Sequence, residues 1–392
     1  MNTAIFQELL REQGQAALAE AARLQPSEAT FLTCWNQLRK HYSNELAKAA
    51  VEMASLRIKA RAKFSCSDRM YFTREALEQA SSEVVAHHRA RRFAQFSRVA
   101  DLCCGIGADS LALAAVGPIV TAIDCDPLRA AMTEANATVL SDPERIRVAI
   151  GDARTIPLHE VQAAFADPAR RTNGRRFLDP EDYLPPLSAL RSRFSPDFPL
   201  AVKIAPGVAW ADVQKWDAEV EFVSLAGELK ECVLWFGSWR QVARRATLLP
   251  SGEELTANTP MAARPVAAVG EVLYDPDPAI TRAGLVSDVA ERLEAFPIDT
   301  RVVLLSAPHF RPNPWATAFS VEQVIPFHPR RLGEYLRSQQ VGRITLIKRG
   351  SPADADTLAR QLRLHGSEHR HVLLTYANQQ HVMIVCSQLS CH

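Results

Sequence analysis

Four carboxylates, Asp101, Asp124, Asp152 and Asp167, each stand where a short apolar run gives way to a turn. After Asp101 comes Cys103-Cys104-Gly105-Ile106-Gly107, then a helix-like segment, then a second apolar run that ends in Asp124, 23 residues beyond Asp101. That order reads as strand, glycine loop, helix, strand. Glycines at 105 and 107 let the chain turn sharply and bring bare backbone close to a ligand. An acid at the end of the second strand of a nucleotide-binding βαβ unit, about 20 residues on, grips ribose hydroxyls. The unit is therefore expected to hold an adenosine-containing cofactor. NAD and S-adenosylmethionine compete for that description. A dinucleotide loop has three glycines, and Ser110 stands at the third position here. The carboxylate of Asp101, four residues before Gly105, would add negative charge where a pyrophosphate sits, but it suits an ammonium and a sulfonium. S-adenosylmethionine is the expected cofactor.

A second chemical cluster follows. The run Ala163 to Ala166 ends in Asp167-Pro168, and Arg170, Arg171, Arg175 and Arg176 lie within seven residues around Gly174. Arginines on a loop at the carboxyl end of a strand clamp phosphate or carboxylate. An anionic substrate is expected there, against the alternative of a surface loop paired with Asp179, Glu181 and Asp182. Lys203, in the apolar run Leu200 to Ile204, either faces that substrate or sits at the strand edge. Two further cationic groups, Arg57, Lys59, Arg61, Lys63 and then Arg89, Arg91, Arg92, Arg98, read first as solvated helix faces. His365, His369, His371 and His381 lack a matching Cys/His framework, so no metal is assigned.

At Asp101, Gly105 and Gly107 the chain resembles class I S-adenosylmethionine-dependent methyltransferases, with Cys103 at the first glycine of their D-x-G-x-G-x-G loop. The resemblance implies that Asp152, beside Ala153 at the end of the run Ile146 to Ile150, reaches the adenine amino group. It also equates Asp167-Pro168 with the D/N-P-P-Y/F/W motif of enzymes that methylate amino groups of bases, where the acid and the carbonyls beside the proline orient a substrate N–H. Ala169 and Arg170 replace the second proline and the aromatic residue. The segment Met70 to Arg92 is similar to the W-F-S-V-T-P-E stretch and following helix of trimethylguanosine synthases. Phe72, Thr73 and Glu75 match, Arg74 replaces the proline, and the likeness implies cofactor contact through Thr73 and substrate contact through Phe72. Residues 266–387 resemble the tail of a group of bacterial methyltransferase-like proteins, with a ferredoxin-like and then a THUMP-like module, on Tyr274-Asp-Pro-Asp-Pro-Ala-Ile-Thr-Arg-Ala-Gly284 and Ile347-Lys348-Arg349-Gly350. THUMP domains bind RNA, so RNA is the implied partner, and Arg330, Arg331, Arg343, Lys348 and Arg349 are candidate phosphate contacts.

The elements that must position these residues follow from the patterning. Residues 1–95 read as helical, with no glycine after Gly14. From Val99 to Leu249 strand and helix signals alternate, which predicts a parallel Rossmann-like α/β sheet with both faces covered. The strand-rich runs Gly227 to Trp235 and Arg244 to Leu249, separated by Gly237 to Trp239, predict an antiparallel edge hairpin. The loop-like residues 251–265 set the expected organisation: a helical region over 1–95, a cofactor domain over 96–252, and α+β modules over 266–325 and 326–392. A composition 47% hydrophobic and 23% charged excludes a disordered or fibrous chain, and a net charge of +1 excludes a strongly basic nucleic-acid coat. Eight cysteines without a C-x-x-C pair, no export signal and no apolar run near the roughly 18 residues of a span point to a reduced, cytoplasmic protein without a membrane anchor. The expected function is methyl transfer from S-adenosylmethionine to RNA. The rival is a non-catalytic RNA-binding protein that keeps the cofactor as a ligand.

Overall fold

The computed structural model describes the chain except residues 143, 173, 174 and 390–392, and it leaves the side chains at 171, 172, 175 and 176 outside the description. Gly174 and Cys391 thus lie outside the described residues. Two compact units emerge, one of residues 1–219 and 231–241 and one of residues 220–230 and 242–392.

In the first unit, α1 (Thr3–Leu10), α2 (Glu12–Arg23), α3 (Phe31–Leu38) and α4 (Asn44–Ala60) pack Phe6, Leu9, Leu38 and Met53 into one core, with Phe64, Phe72 and Met132 in the same cluster. Thr73 caps α5 (Arg74–Gln79), its Oγ1 accepting from the Ala76 N–H at 3.1 Å, and α6 (Glu83–Ala90) follows. Alternation then begins: β1 (Arg98–Leu102), α7 (Ala108–Ala115), β2 (Ile119–Asp124), α8 (Pro127–Leu140), β3 (Ile146–Ile150) and β4 (Ala163–Ala166). Asp126 caps α8 through the Leu128 and Arg129 N–H groups, and Pro127 supplies a first-turn residue whose missing donor costs nothing there. A short hairpin, β5 (Arg171–Thr172) and β6 (Arg175–Arg176), leads by α9 (Leu187–Ser192) to β7 (Leu200–Ile204) and by α10 (Trp210–Val213) onward.

β3, β2, β1, β4 and β7 lie side by side and parallel, with Asp124 opposite Ile150, Leu102 opposite Ile123 and Ala166, and Ala166 opposite Val202. Burial of β1, β4 and β7 on both faces explains their apolar runs, which the buried Asp101 and Lys203 interrupt. Chain order reverses between β1 and β4, so their carboxyl ends open a crevice where ligands bind in such sheets. β8 (Glu219–Leu225) and β9 (Glu228–Phe236) follow, and β9 runs antiparallel to β7, with Ile204 opposite Cys232.

In the second unit β10 (Arg244–Leu249) pairs parallel with β8 and antiparallel with β11 (Glu253–Ala257). The expected hairpin between residues 227–235 and 244–249 does not form, because both runs find other partners. A seven-stranded sheet follows, made of β12 (Val272–Pro276), β13 (Phe296–Pro297), β14 (Leu305–Ala307), β15 (Ala316–Pro326), β16 (Val341–Lys348), β17 (Glu368–Ala377) and β18 (Gln380–Gln388). Between them run α11 (Pro278–Ala283), α12 (Val286–Arg292), α13 (Pro329–Ser338) and α14 (Ala355–Leu362). Leu332 and Leu336 of α13 and Leu358 and Leu362 of α14 bury one face with Val372, Leu374, Met383 and Val385. β15 pairs with both β12 and β18, so the boundary expected between 325 and 326 falls inside one strand.

Candidate active site

The glycine loop opens with backbone that most side chains avoid. Cys103, Gly105 and Gly107 all have positive φ, at 66°, 62° and 80°, so Cys103 keeps the conformation of the glycine it replaces. A Cβ on Gly107 would stand 2.9 Å from Thr133 Cγ2, whereas one on Gly105 would meet nothing within 4 Å. The loop is held from α8: Thr133 Oγ1 donates to the Gly105 carbonyl at 2.9 Å, and Asn136 Nδ2 donates to the Ile106 carbonyl at 2.9 Å. Asn136 also exchanges hydrogen bonds with the backbone of Tyr71, accepting from its N–H at 2.7 Å and donating to its carbonyl at 3.1 Å. The Tyr71–Thr73 segment is thereby fixed beside the loop.

Asp101 is buried. Its Oδ2 accepts from Ser110 Oγ at 2.5 Å, while Oδ1, also buried, has no partner among the described residues. Burial first, then the nearby Asp109 carboxylate, push Asp101 up to about 8, against the pull of Ser110 and Arg89. A buried carboxylate oxygen without a donor is a receptor for a cation or an N–H. Asp124, also buried, accepts from the Gly105 N–H through Oδ2 and from the Asp126 N–H through Oδ1, both at 2.9 Å. It ties the loop to the start of α8. Burial raises it, and these two bonds and Arg129 oppose the rise. Asp152 is partly exposed and its carboxylate is forked by Arg154, with Nε 3.0 Å from each oxygen; that hydrogen bonding holds it down to about 2. The carbonyl of the buried Ala153 accepts from Arg193 Nη1.

Asp167 lies at the end of β4, its N–H donating to the Leu102 carbonyl of β1 at 3.2 Å, so it and the glycine loop share one crevice edge. Its side chain is 18% exposed, and Oδ2 accepts from Lys203 Nζ at 2.7 Å. The buried Pro168 follows, and Arg170 Nη1 donates to the Ile204 carbonyl at 3.3 Å. Burial works to neutralise Asp167, but Lys203 foremost, with Arg170 and Arg89, holds it below the usual carboxylate range. The side chains of Arg171, Arg175 and Arg176 fall outside the described atoms.

Three expectations need correction. Lys203 does not reach out to a substrate: its Nζ is spent on Asp167 and on Ser81 Oγ at 3.0 Å, and the residue is buried. Phe72 is fully enclosed among core side chains, its ring 5.9 Å from that of Phe64, so it is a packing residue. Part of the cationic groups is structural as well, whereas Lys59, Arg61 and Arg91 are exposed, as a solvated helix face requires. Arg57 Nε donates to the Met70 carbonyl, Lys63 Nζ caps the carbonyls of Leu77, Glu78 and Ala80, and Arg92 pairs with Glu219 beneath the Trp235 ring. Arg89 is buried, pairs with both Asp109 and Glu231, and lies 4.4 Å from the Phe165 ring centre. Ser81, Asp109, Thr133, Asn136 and Glu231 were not singled out from sequence. No signal set Asn136 apart in α8, which also carries Arg129, Thr133, Glu134 and Thr138.

The comparisons with known proteins bear on this site. Residues 316–388 match the THUMP domain-like family, and residues 2–60 match a domain of unknown function. Two relatives from Mycobacterium tuberculosis, strains CDC 1551 / Oshkosh and ATCC 25618 / H37Rv, are described as uncharacterized S-adenosylmethionine-dependent methyltransferases. Each is 35% identical over 314 residues, 78% of this chain and 84% of theirs. The chain belongs to the S-adenosylmethionine-dependent methyltransferases. This methyltransferase shares its fold with a candidate methyltransferase of Porphyromonas gingivalis W83 solved by crystallography, at a TM-score of 0.74 and 19% identity over 93% of this chain and 100% of that one. Among the described residues of the methyltransferase, no helix is long and apolar enough to cross a membrane, and no group of three or more His, Cys, Asp or Glu is placed to hold a metal.

Proposed function

We propose that the methyltransferase acts on RNA, at an amino nitrogen that Asp167 and Pro168 orient. One observation carries this reading: the unpartnered Asp101 Oδ1 and the open space over Gly105 lie at the end of β1, and Asp167 lies at the end of the adjoining β4. Donor and acceptor subsites so arranged face each other across one strand spacing. The cofactor supplies a methyl group on a sulfonium that is already activated for displacement. The chain's work is then placement, which by itself removes much of the barrier.

In this reading Asp101 receives the cationic end of the cofactor, and Gly105 and Gly107 with Cys103 and Thr73 wall its site. Asp124 and Asp152 with Ala153 address the ribose and adenine. Asp124 does this with the lone pairs its two backbone donors leave, so it serves the loop and the ligand together. Asp167, acceptor-only while ionised, takes a hydrogen bond from the substrate N–H and turns the nitrogen lone pair toward the methyl. The arginine hairpin that includes Arg170, Arg171, Arg175 and Arg176 is assigned the anionic backbone of the substrate. The THUMP domain-like match over 316–388 supports RNA as that substrate, and Arg330, Arg331, Arg343 and Lys348 are exposed there, whereas Arg349 is paired with Asp275 at 2.6 Å.

The test is transfer of tritiated methyl from S-adenosylmethionine to total RNA from a strain lacking the gene. Ribonuclease-sensitive label is the expected result. Label confined to protein or small-molecule fractions would overturn the RNA assignment.

A further inference from the structure

Five side chains behind the acceptor subsite form a continuous polar path through an apolar layer. Glu231 of β9 pairs with Arg89 of α6, which also reaches Asp109 of α7 and, at 2.9 Å, Ser81 Oγ. Ser81 Oγ lies 3.0 Å from Lys203 Nζ and 3.4 Å from Asp109 Oδ2. A hydroxyl has one proton to give and two lone pairs. Accepting from Arg89 and Lys203 and donating to Asp109 uses all three, so Ser81 has one arrangement and points Lys203 in one direction. That direction ends at Asp167 Oδ2, 2.7 Å away. Lys203 stands on a strand whose five residues are all buried, where an ammonium is tolerated only when paired.

We infer that Lys203 is a positioning residue for methyl transfer: aimed by Ser81 and Arg89, it clamps Oδ2 of Asp167 and leaves Oδ1 as the oxygen that orients the acceptor. The inference rests on the reading of Asp167 as the acceptor-orienting residue. Its physical content is the charge state of Asp167. Burial favours the protonated form, and Asp101 on β1 and Cys103 on the loop above also face the carboxylate. Against them stand Lys203 on β7, Arg170 after β4 and Arg89 on α6, of which Lys203 alone touches the carboxylate. Without the clamp only Arg170 and Arg89 oppose burial, and the acid takes up a proton at a higher pH than in the wild type. A protonated Oδ1 donates where it must accept, and the substrate nitrogen loses its orientation.

The experiment compares the full-length wild type with Lys203→Met and Lys203→Arg, at saturating S-adenosylmethionine and with the RNA acceptor. Lys203→Met is expected to lower kcat at least tenfold at pH 6, with most of the loss recovered by pH 9; Lys203→Arg should keep the wild-type acid limb. An equal loss at every pH would assign Lys203 to folding alone and overturn the inference. A second measurement needs no acceptor: titration of carbon-13-labelled aspartate carboxyls with S-adenosylhomocysteine bound, the Asp167 signal being the one absent in Asp167→Asn. It should titrate below the usual aspartate range in the wild type and above it in Lys203→Met. If Lys203→Met fails to fold, Ser81→Ala should move the same signal upward by a smaller amount. An Asp167 titration unchanged in these variants overturns the clamp whether or not RNA accepts methyl. A shifted titration without RNA labelling upholds the clamp and removes only the acceptor assignment.

Discussion

At the scale of single residues, the two glycines of the loop do separable work. Gly107 is hemmed by Thr133 and has a φ of 80°, so Gly107→Ala meets both steric contact and backbone strain. It should lower stability by about 1–3 kcal/mol in urea unfolding. Gly105 faces open space, so Gly105→Ala should cost only about 1–2 kcal/mol of left-handed strain but weaken S-adenosylmethionine binding tenfold or more in calorimetry. Asp101 carries a pH dependence of its own. Burial and the Asp109 carboxylate push it up to about 8, so in the free protein it takes up a proton far above the usual aspartate range. A cationic ligand favours the ionised form, so binding releases that proton, and affinity should rise with pH and level off above about 8. Binding enthalpy at pH 7 should therefore depend on the ionisation heat of the buffer, and Asp101→Asn should abolish that dependence. The places of the acids, the glycine turn and the Asp-Pro pair were legible in sequence because each closes an apolar run or needs a positive φ. The partners of Arg89 and Lys203 were not. A buried cation and a solvated one look alike in a linear string, and one of the two acids paired with Arg89, Glu231, lies 142 positions away.

At the scale of elements, the site depends on α6, α7, β7 and β9 meeting behind β4. Their order along the chain followed from apolar runs alternating with helical spacing, and β1 to β4, α8 and β7 stand where those runs lie. The expected hairpin failed for a physical reason. Local turn signals at Gly237 to Trp239 say that the chain bends, yet pairing is decided by which strands need a neighbour, and β9 serves β7 while β10 serves β8. Arg89 is the electrostatic joint of this assembly: burial would cost it its charge, but Asp109 and Glu231 more than offset that and hold it protonated. Arg89→Met leaves the buried Asp109 and Glu231 without their cation, for an expected loss of about 3–5 kcal/mol, read as a lower urea midpoint. Asp109→Asn combined with Glu231→Gln in the Arg89→Met background should recover part of it, since neutral amides tolerate burial without a cation.

At the scale of the whole molecule, a net charge of +1 means that any affinity for RNA must come from local contacts rather than a general field. The THUMP domain-like region offers exposed Arg330, Arg331 and Lys348, none of which has a described salt bridge, and sets Arg349 aside with Asp275. Each cation that neutralises a phosphate releases condensed counterions, which lowers log affinity against log salt with a slope of about 0.7 per contact for single strands. Replacing Arg330, Arg331 and Lys348 together by Gln should weaken RNA binding and flatten that slope by up to about 2. Affinity for S-adenosylmethionine should not change, because none of the three belongs to the unit that carries the glycine loop. An unchanged slope would mean that the THUMP domain-like region makes no phosphate contact through these residues. Substrate capture would then fall to the arginine hairpin at 170–176, whose own replacement should alter salt dependence and turnover together.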